Sequence, residues 1–300
     1  MRIAIDARWI TAEASGIGVY TQELITALAV IDRKNEYILF FNSETLRART
    51  VESAALRNSS NISSEIVPHG VFSPAGQLLV PGLLKKMGLD IYHSPNYMMP
   101  LLAFPRNRKG SIAAVVTIHD VIPMIFPDHA PKSRKTKLFP VYRRLMIEVG
   151  KRANMIIADS ESSRKDIVTH LQIPTGRHGM VKTVYCGLGS RLAPDSRSKP
   201  AKDGNEARTI LYVGRSDPYK NCVGLISAFA LTQKQCHFPI KLLMAGSPDQ
   251  RYPEINEKIN ALGLAQSVRR AYLTDSELAS AYRTADLLVL PSLYEGFGLP

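Results

Sequence analysis

Glu295 stands beside Gly296 and Gly298 in Pro291-Ser-Leu-Tyr-Glu-Gly-Phe-Gly-Leu-Pro300, directly after the apolar run Asp286-Leu-Leu-Val-Leu290. A carboxylate accepts hydrogen bonds from hydroxyls, and glycine backbone N–H groups, with Phe297 between them, can approach a phosphate closely. The combination suits a sugar nucleotide. The plainer alternative is a strand-to-loop turn carrying a solvated Glu. A second group lies in Thr209-Ile-Leu-Tyr-Val-Gly-Arg-Ser-Asp-Pro-Tyr-Lys-Asn221, where Gly214 ends a strand and Arg215 and Lys220 follow, five residues apart. Fixed cations at a strand end beside a helix N-terminus lower the barrier to a step that expels a diphosphate. Two solvated loop cations are the alternative. His119 and Asp120 close the run Val115-Val-Thr-Ile-His-Asp-Val-Ile-Pro123; a lone His there is more often a satisfied core residue than a site. Gly16 and Gly18, in Ser15-Gly-Ile-Gly-Val-Tyr20, mark a first strand-to-helix loop or simply a tight turn. They lack a third glycine, and no acidic residue ends Tyr37 to Phe41, which argues against a dinucleotide site.

These groups need strands to carry them. Apolar runs recur at Ile3 to Ala7, Tyr37 to Phe41, Asp90 to His93, Ala113 to Ile118 and Met155 to Ala158, then at Thr209 to Val213, Ile240 to Ala245, Val268 to Tyr272 and Asp286 to Leu290. Helical periodicity fills the gaps, as in Tyr20 to Leu28, Cys222 to Ala230 and Leu278 to Ala285. Strand and helix in alternation predict an α/β protein with parallel sheets. Continuous apolarity in Asp286 to Leu290 predicts a central strand buried on both faces. Ser190 to Glu206 is polar, rich in Pro, Ser and charge, and aperiodic, so it reads as a linker. The domains are then 1–190, a linker at 191–206, and 207–300, whose sheet is expected to be incomplete at Pro300.

Three hundred residues allow two domains of ordinary size. No apolar stretch is long enough to span a bilayer, and Asp6 interrupts the run a signal peptide would need. Cys186, Cys222 and Cys236 have no CxxC spacing, which fits free thiols in a cytoplasmic protein. There is no Asp-x-Asp, zinc cluster, GxSxG elbow or P-loop. The net charge of +12 asks for an anionic partner. No nucleic-acid motif accompanies it. Lys132, Arg134, Lys135, Lys137, Arg143 and Arg144 are interleaved with Leu138, Phe139, Tyr142, Leu145 and Met146. That mixture could rest on an anionic membrane at about 1 kcal/mol per basic side chain, or form an ordinary solvated helix face.

The Glu-Gly-Phe-Gly segment and the Gly-Arg…Lys-Asn segment resemble the signature of retaining glycosyltransferases of the GT-B fold, family 4. The His-Asp followed by an apolar pair and Pro resembles a subgroup rich in mannosyltransferases. The resemblance runs in order along nearly the whole chain. It implies two Rossmann-like domains facing across a cleft, with donor held mainly by the second. It implies metal-independent transfer of a hexose, most simply mannose from GDP-mannose, to a cell-surface or lipid-linked glycan, with no cofactor. Arg215 and Lys220 are then matched to donor phosphate binding, Glu295 to sugar hydroxyls, and His119 to the transferred sugar. Asp120, Gly16, Gly18, Gly214, Gly296, Phe297 and Gly298 become donor contacts, and Ser160 and Arg164 border the cleft. The family's second glutamate would fall at position 303, beyond Pro300, so either the chain is a fragment, poorly competent for transfer, of an active parent enzyme, which is the expectation here, or the protein lacks that residue. Two other classes fit the same residues: a non-catalytic carbohydrate-binding or scaffolding homologue, and a binder of anionic polymers.

Overall fold

The computed structural model describes residues 1–12, 15–52, 54–106, 110–130, 132, 138–187 and 206–298. They form two compact units: Met1–Val121 with Pro140–Gly189, and Ile122–Phe139 with Ser190–Pro300. The segment Ile122–Phe139, which its chain position placed in the first domain, belongs to the second unit. Phe126 packs its ring on Tyr294 at 5.8 Å. Lys132 donates its backbone N–H to the Tyr252 hydroxyl and its ammonium to the Arg251 carbonyl, while Arg251 donates back to the Lys132 carbonyl. Residues 191–205 of the linker reading lie outside the described residues.

The first unit holds one sheet of β1 (Arg2–Ile5), β2 (Glu36–Phe41), β3 (Ile62–Ile66), β4 (Ile91–Ser94), β5 (Ala113–Ile118), β6 (Met155–Ala158) and β7 (Val181–Thr183). All are parallel, in the order β3-β2-β1-β4-β5-β6-β7. The β1–β2 face is covered by the helix Gly16–Ile31, whose Ile25 and Ala29 meet Ile5, Tyr37, Leu39 and Phe41. Phe40 and Tyr92 are buried as well, so these strands have apolar cover on alternate side chains and read as continuous runs. The edge strands β3 and β7 escaped the sequence reading. Ile-Ser-Ser-Glu-Ile shows water on one side and carries polar residues, which an apolar-run criterion passes over.

The second unit holds β8 (Arg208–Val213), β9 (Ile240–Ala245), β10 (Val268–Ala271) and β11 (Leu287–Leu288), all parallel, in the order β10-β9-β8-β11. Successive side chains face opposite layers. Tyr212, Leu242 and Met244 pack on Ile226 and Phe229 of the helix Cys222–Gln235, whereas Leu211 and Leu243 meet Ala281 and Leu278 of the helix Asp275–Thr284.

One expectation fails. Asp286 to Leu290 is not a buried central strand: pairing is limited to Leu287 and Leu288, against β8 only, and Leu287 is 54% exposed. A run of apolar residues records the propensity to be covered; within the described residues no element lies beside β11 on its other edge.

Candidate active site

The two sheets share a local strand order. β3-β2-β1-β4 and β10-β9-β8-β11 each reverse direction beside their first strand, and ligands of open α/β sheets bind outside the carboxyl ends at such a reversal.

In the second unit the reversal lies between β8 and β11, and the loops that leave these strands carry Lys220 and Glu295. Their approach is set by the backbone. A Cβ on Gly246, after β9, would lie 2.1 Å from the Gly214 carbonyl oxygen, so the two turns press backbone to backbone and glycine is required. The chain then makes a short 3-10 turn at Pro218–Lys220 and reaches Asn221 at φ 55°, in the left-handed region that Asn tolerates. The Asn221 amide lies over Gly224 and donates to the Pro291 carbonyl at 3.2 Å, and Leu293 N–H donates to the Tyr219 carbonyl at 2.8 Å. These ties clip the loop after β8 to the loop after β11. Lys220 Nζ then stands 2.7 Å from Glu295 Oε1, which also accepts the Ser292 hydroxyl. Both side chains keep about a fifth of their surface open.

Arg215 is held differently. Its Nε lies 2.9 Å from Asp217 Oδ2 while the side chain is 67% exposed, so the guanidinium is paired with a buried carboxylate and remains largely open to solvent. Asp217 is buried, and its other oxygen accepts the buried Tyr252 hydroxyl at 2.8 Å. Tyr252 in turn accepts the Lys132 N–H. Gly296 and Phe297 follow Glu295, and Gly298 sits at φ 89°, where glycine is favoured.

In the first unit His119 directly follows β5 and Asp159 directly follows β6. Ile118 and Ala158 are register partners, so the next residues along each strand face one another. His119 Nδ1 is 2.6 Å from Asp159 Oδ2 and Nε2 is 3.0 Å from the Pro95 carbonyl. Both partners are hydrogen-bond acceptors, an arrangement that favours a proton on each ring nitrogen. Burial opposes that charge, but the hydrogen bond and charge of Asp159 and the Pro95 carbonyl outweigh it and raise the pKa. His93 is buried nearby on Thr117, which also meets the Tyr20 hydroxyl. Burial, then the charge of His119, lower its pKa to about 4, so it is neutral. The Tyr20 ring meets His119 edge-on at 4.9 Å. Asp120 is half-buried, and its charge adds to the raised pKa values of Tyr97 and Tyr142.

Gly16 and Gly18 do not form a loop; they open the helix Gly16–Ile31, and the Ser15 hydroxyl caps it from the Gly18 N–H. A Cβ on Gly18 would crowd Ser15 and the Trp9 carbonyl, whereas Gly16 faces open space. Thus the structure brings Lys220 to Glu295 and holds Arg215 on Asp217 in one unit, and places His119, Asp120, Gly16 and Gly18 in the other.

Residues 14–188 match the model of Glycosyltransferase Family 4, and residues 194–300 that of Glycosyl transferases group 1. The chain belongs to glycosyltransferase family 4. It is 26% identical over 316 residues to the Escherichia coli O-antigen chain mannosyltransferase B, covering all of this chain and 78% of that protein. It is 29% identical over 196 residues to the Escherichia coli serotype-specific mannosyltransferase WbdA, covering 62% of this chain and 23% of that one. The fold is GT-B. Anabaena HepE, solved with UDP and glucose, superposes with a TM-score of 0.65 at 17% identity, over 99% of this chain and 76% of its own. WaaG, a glycosyltransferase of lipopolysaccharide biosynthesis, superposes with a TM-score of 0.61 at 14% identity, over 98% and 76%.

Sequence reasoning about this glycosyltransferase missed Asp159, Asp217 and Tyr252. Asp159 was legible once β5 and β6 were known neighbours. Asp217 lies two residues after Arg215, within reach of a guanidinium, but Tyr252 is remote in sequence and carries no pattern. Ser160 caps the helix Glu161–His170 and Arg164 pairs with Glu161, so both are engaged within one helix. Of the basic and apolar mixture around the helix Phe139–Arg152, only part is described. Arg134, Lys135 and Lys137 lie outside the described residues, and Tyr142 and Met146 are buried in the protein. Among the described residues no helix is long and apolar enough to cross a membrane.

Proposed function

We propose that this glycosyltransferase moves mannose from GDP-mannose, with retention and without a metal, to a growing surface or lipid-linked glycan on the cytoplasmic side of a membrane. The observation that carries the reading is the Lys220–Glu295 contact at the reversal between β8 and β11. The names of the Escherichia coli relatives support mannose as the sugar.

In this reading the donor diphosphate takes Lys220 and the exposed guanidinium of Arg215, and charge developing on the leaving oxygen is met by cations already in place. Lys220 exchanges Glu295 for phosphate. Glu295 then accepts sugar hydroxyls and steadies positive charge on the ring, with the backbone of Gly214, Gly296, Phe297 and Gly298 close to the donor. The bond from the anomeric carbon to phosphate oxygen breaks, the acceptor oxygen bonds to that carbon on the same face, and its proton passes to the departing phosphate. His119 reaches a sugar hydroxyl by giving up the Pro95 carbonyl, since its other nitrogen stays on Asp159. Asp120 and the helix start at Gly16 and Gly18 serve as further donor contacts.

A panel of nucleotide sugars offered to the intact enzyme tests this, with release of nucleoside diphosphate as the readout. Turnover of GDP-mannose is expected. Turnover of UDP-glucose in its place would overturn the donor assignment, and loss of all turnover on adding a chelator would overturn metal independence.

A further inference from the structure

A pocket of about 500 Å³ opens on the first unit, away from the strand ends described above. Arg106, Arg143, Arg144, Glu148, Lys151 and Gln172 line it. Four cations thus surround one carboxylate. The helix Phe139–Arg152 supplies most of them because Arg143, Arg144, Glu148 and Lys151 recur at helical spacing on one face, while Met146, Val149 and Gly150 face the core. Gly150 sets the depth: a Cβ there would lie 2.8 Å from Ile173 Cδ1 and 3.3 Å from Leu171 Cβ, so the helix approaches the Leu171–Ile173 segment closely. Gln172, between these two, adopts φ 56° and lines the pocket.

The carboxylate serves as a bracket. Glu148 Oε2 accepts from Arg106 Nε at 2.6 Å and from Arg152 Nε at 3.2 Å. The hydrogen bond from Arg106 is the largest effect that keeps this carboxyl below its ordinary range. Arg106, which comes from the segment between β4 and β5, is therefore held by Nε, and its terminal nitrogens make no hydrogen bond among the described residues. Arg143 and Arg144 form no ion pair among the described residues, and both are exposed. Guanidinium forks with open terminal nitrogens, a lysine and an amide donor match the oxygens of a phosphate, and a single bracketed carboxylate leaves the pocket strongly cationic.

We propose that this pocket binds a phosphate group, as a site separate from the one that holds the donor. The phosphate can be carried by an acidic lipid headgroup or by a soluble anion, and the chemistry of recognition is the same. The inference does not rest on the transfer reaction, and binding is read without turnover.

The test compares the intact protein with its Arg143→Gln/Arg144→Gln variant and with a Lys85→Gln/Lys86→Gln control, whose exposed lysines end the helix Pro74–Lys86. Calorimetry with inorganic pyrophosphate forms one arm. Sedimentation with phosphatidylcholine vesicles, with and without phosphatidylglycerol, forms the other. Because the donor site also takes diphosphate, the pyrophosphate arm is run with GDP at saturation. The arginine variant is expected to bind on the order of tenfold more weakly in at least one arm, with an unchanged melting temperature, while the control binds as the parent does. Loss in the pyrophosphate arm identifies a soluble source, and loss in the vesicle arm alone a lipid one. Equal weakening in the lysine control, or no difference between parent and arginine variant in both arms, overturns the site.

Discussion

The two units repeat one strand order, yet the crevices at their reversals are furnished in opposite ways. Beside β1 and β4 an ion pair is buried: Arg8 forks onto Asp6 with both side chains almost wholly enclosed, and Tyr92 donates to the same carboxylate. At the end of β5 both nitrogens of His119 are taken by protein acceptors. Beside β8 and β11, Lys220 and Glu295 are partly open and Arg215, paired with Asp217, is largely exposed. A buried ion pair broken on one side leaves an uncompensated charge, whereas a half-exposed pair trades partners at little cost. The first crevice is a built wall, and the second is a set of charges ready to change partners.

That contrast predicts where substitutions show. The largest effect is expected for Lys220→Ala, which should lower kcat for sugar transfer about 10²–10³-fold while leaving the urea midpoint nearly unchanged. A parental rate would erase the distinction on the second unit's side. Asp159→Ala is expected to show first in stability, costing about 3–5 kcal/mol in urea unfolding because the protonated form of His119 loses its counter-charge in a buried site. If unfolding is unaffected, the wall is not built as described.

The third prediction is a pH profile. Relative to an unfolded His near 6.5, the depressed His93 binds its proton only in the unfolded chain as the pH falls, so stability drops between pH 6.5 and about 4, by about 3 kcal/mol in all. His119, raised, has its effect above pH 6.5, where its stabilising charge is lost as the pH climbs through its folded value. His93→Asn should flatten the acidic limb alone, and an acidic limb that survives in that variant would assign it elsewhere. The smallest effect is that of Tyr252→Phe. Removing the hydroxyl between Lys132 N–H and Asp217 should cost about 1 kcal/mol and weaken nucleoside diphosphate binding several-fold, since Asp217 anchors Arg215. Unchanged affinity would show that Arg215 needs no such anchor.

Much of the frame was legible in the residues. Ala113 to Ile118 and Ile240 to Ala245 read as strands because both faces are largely covered and most of their residues are under the same pressure to be apolar. Edge strands β3 and β7 were not, since water on one side relaxes that pressure, and Leu287–Leu288 misled because an apolar run does not say which neighbour is present. Among site residues, Arg215, Lys220 and Glu295 were marked by glycine turns at strand ends. His119 was marked only by resemblance, and its charge state was not legible, because that depends on Asp159 and Pro95, 40 and 24 residues away.

From its own residues, then, the chain settled that parallel strands alternate with helices and that cations and a carboxylate leave those strands at their carboxyl ends, because periodicity and turn chemistry are local. Only the tertiary structure decided that Lys220 meets Glu295, that Arg215 is held through Asp217 and Tyr252, and that Asp159 and the Pro95 carbonyl raise the pKa of His119. Each of these rests on which strands are neighbours and which side chains lose their water together, and both are fixed by packing between segments far apart in the chain.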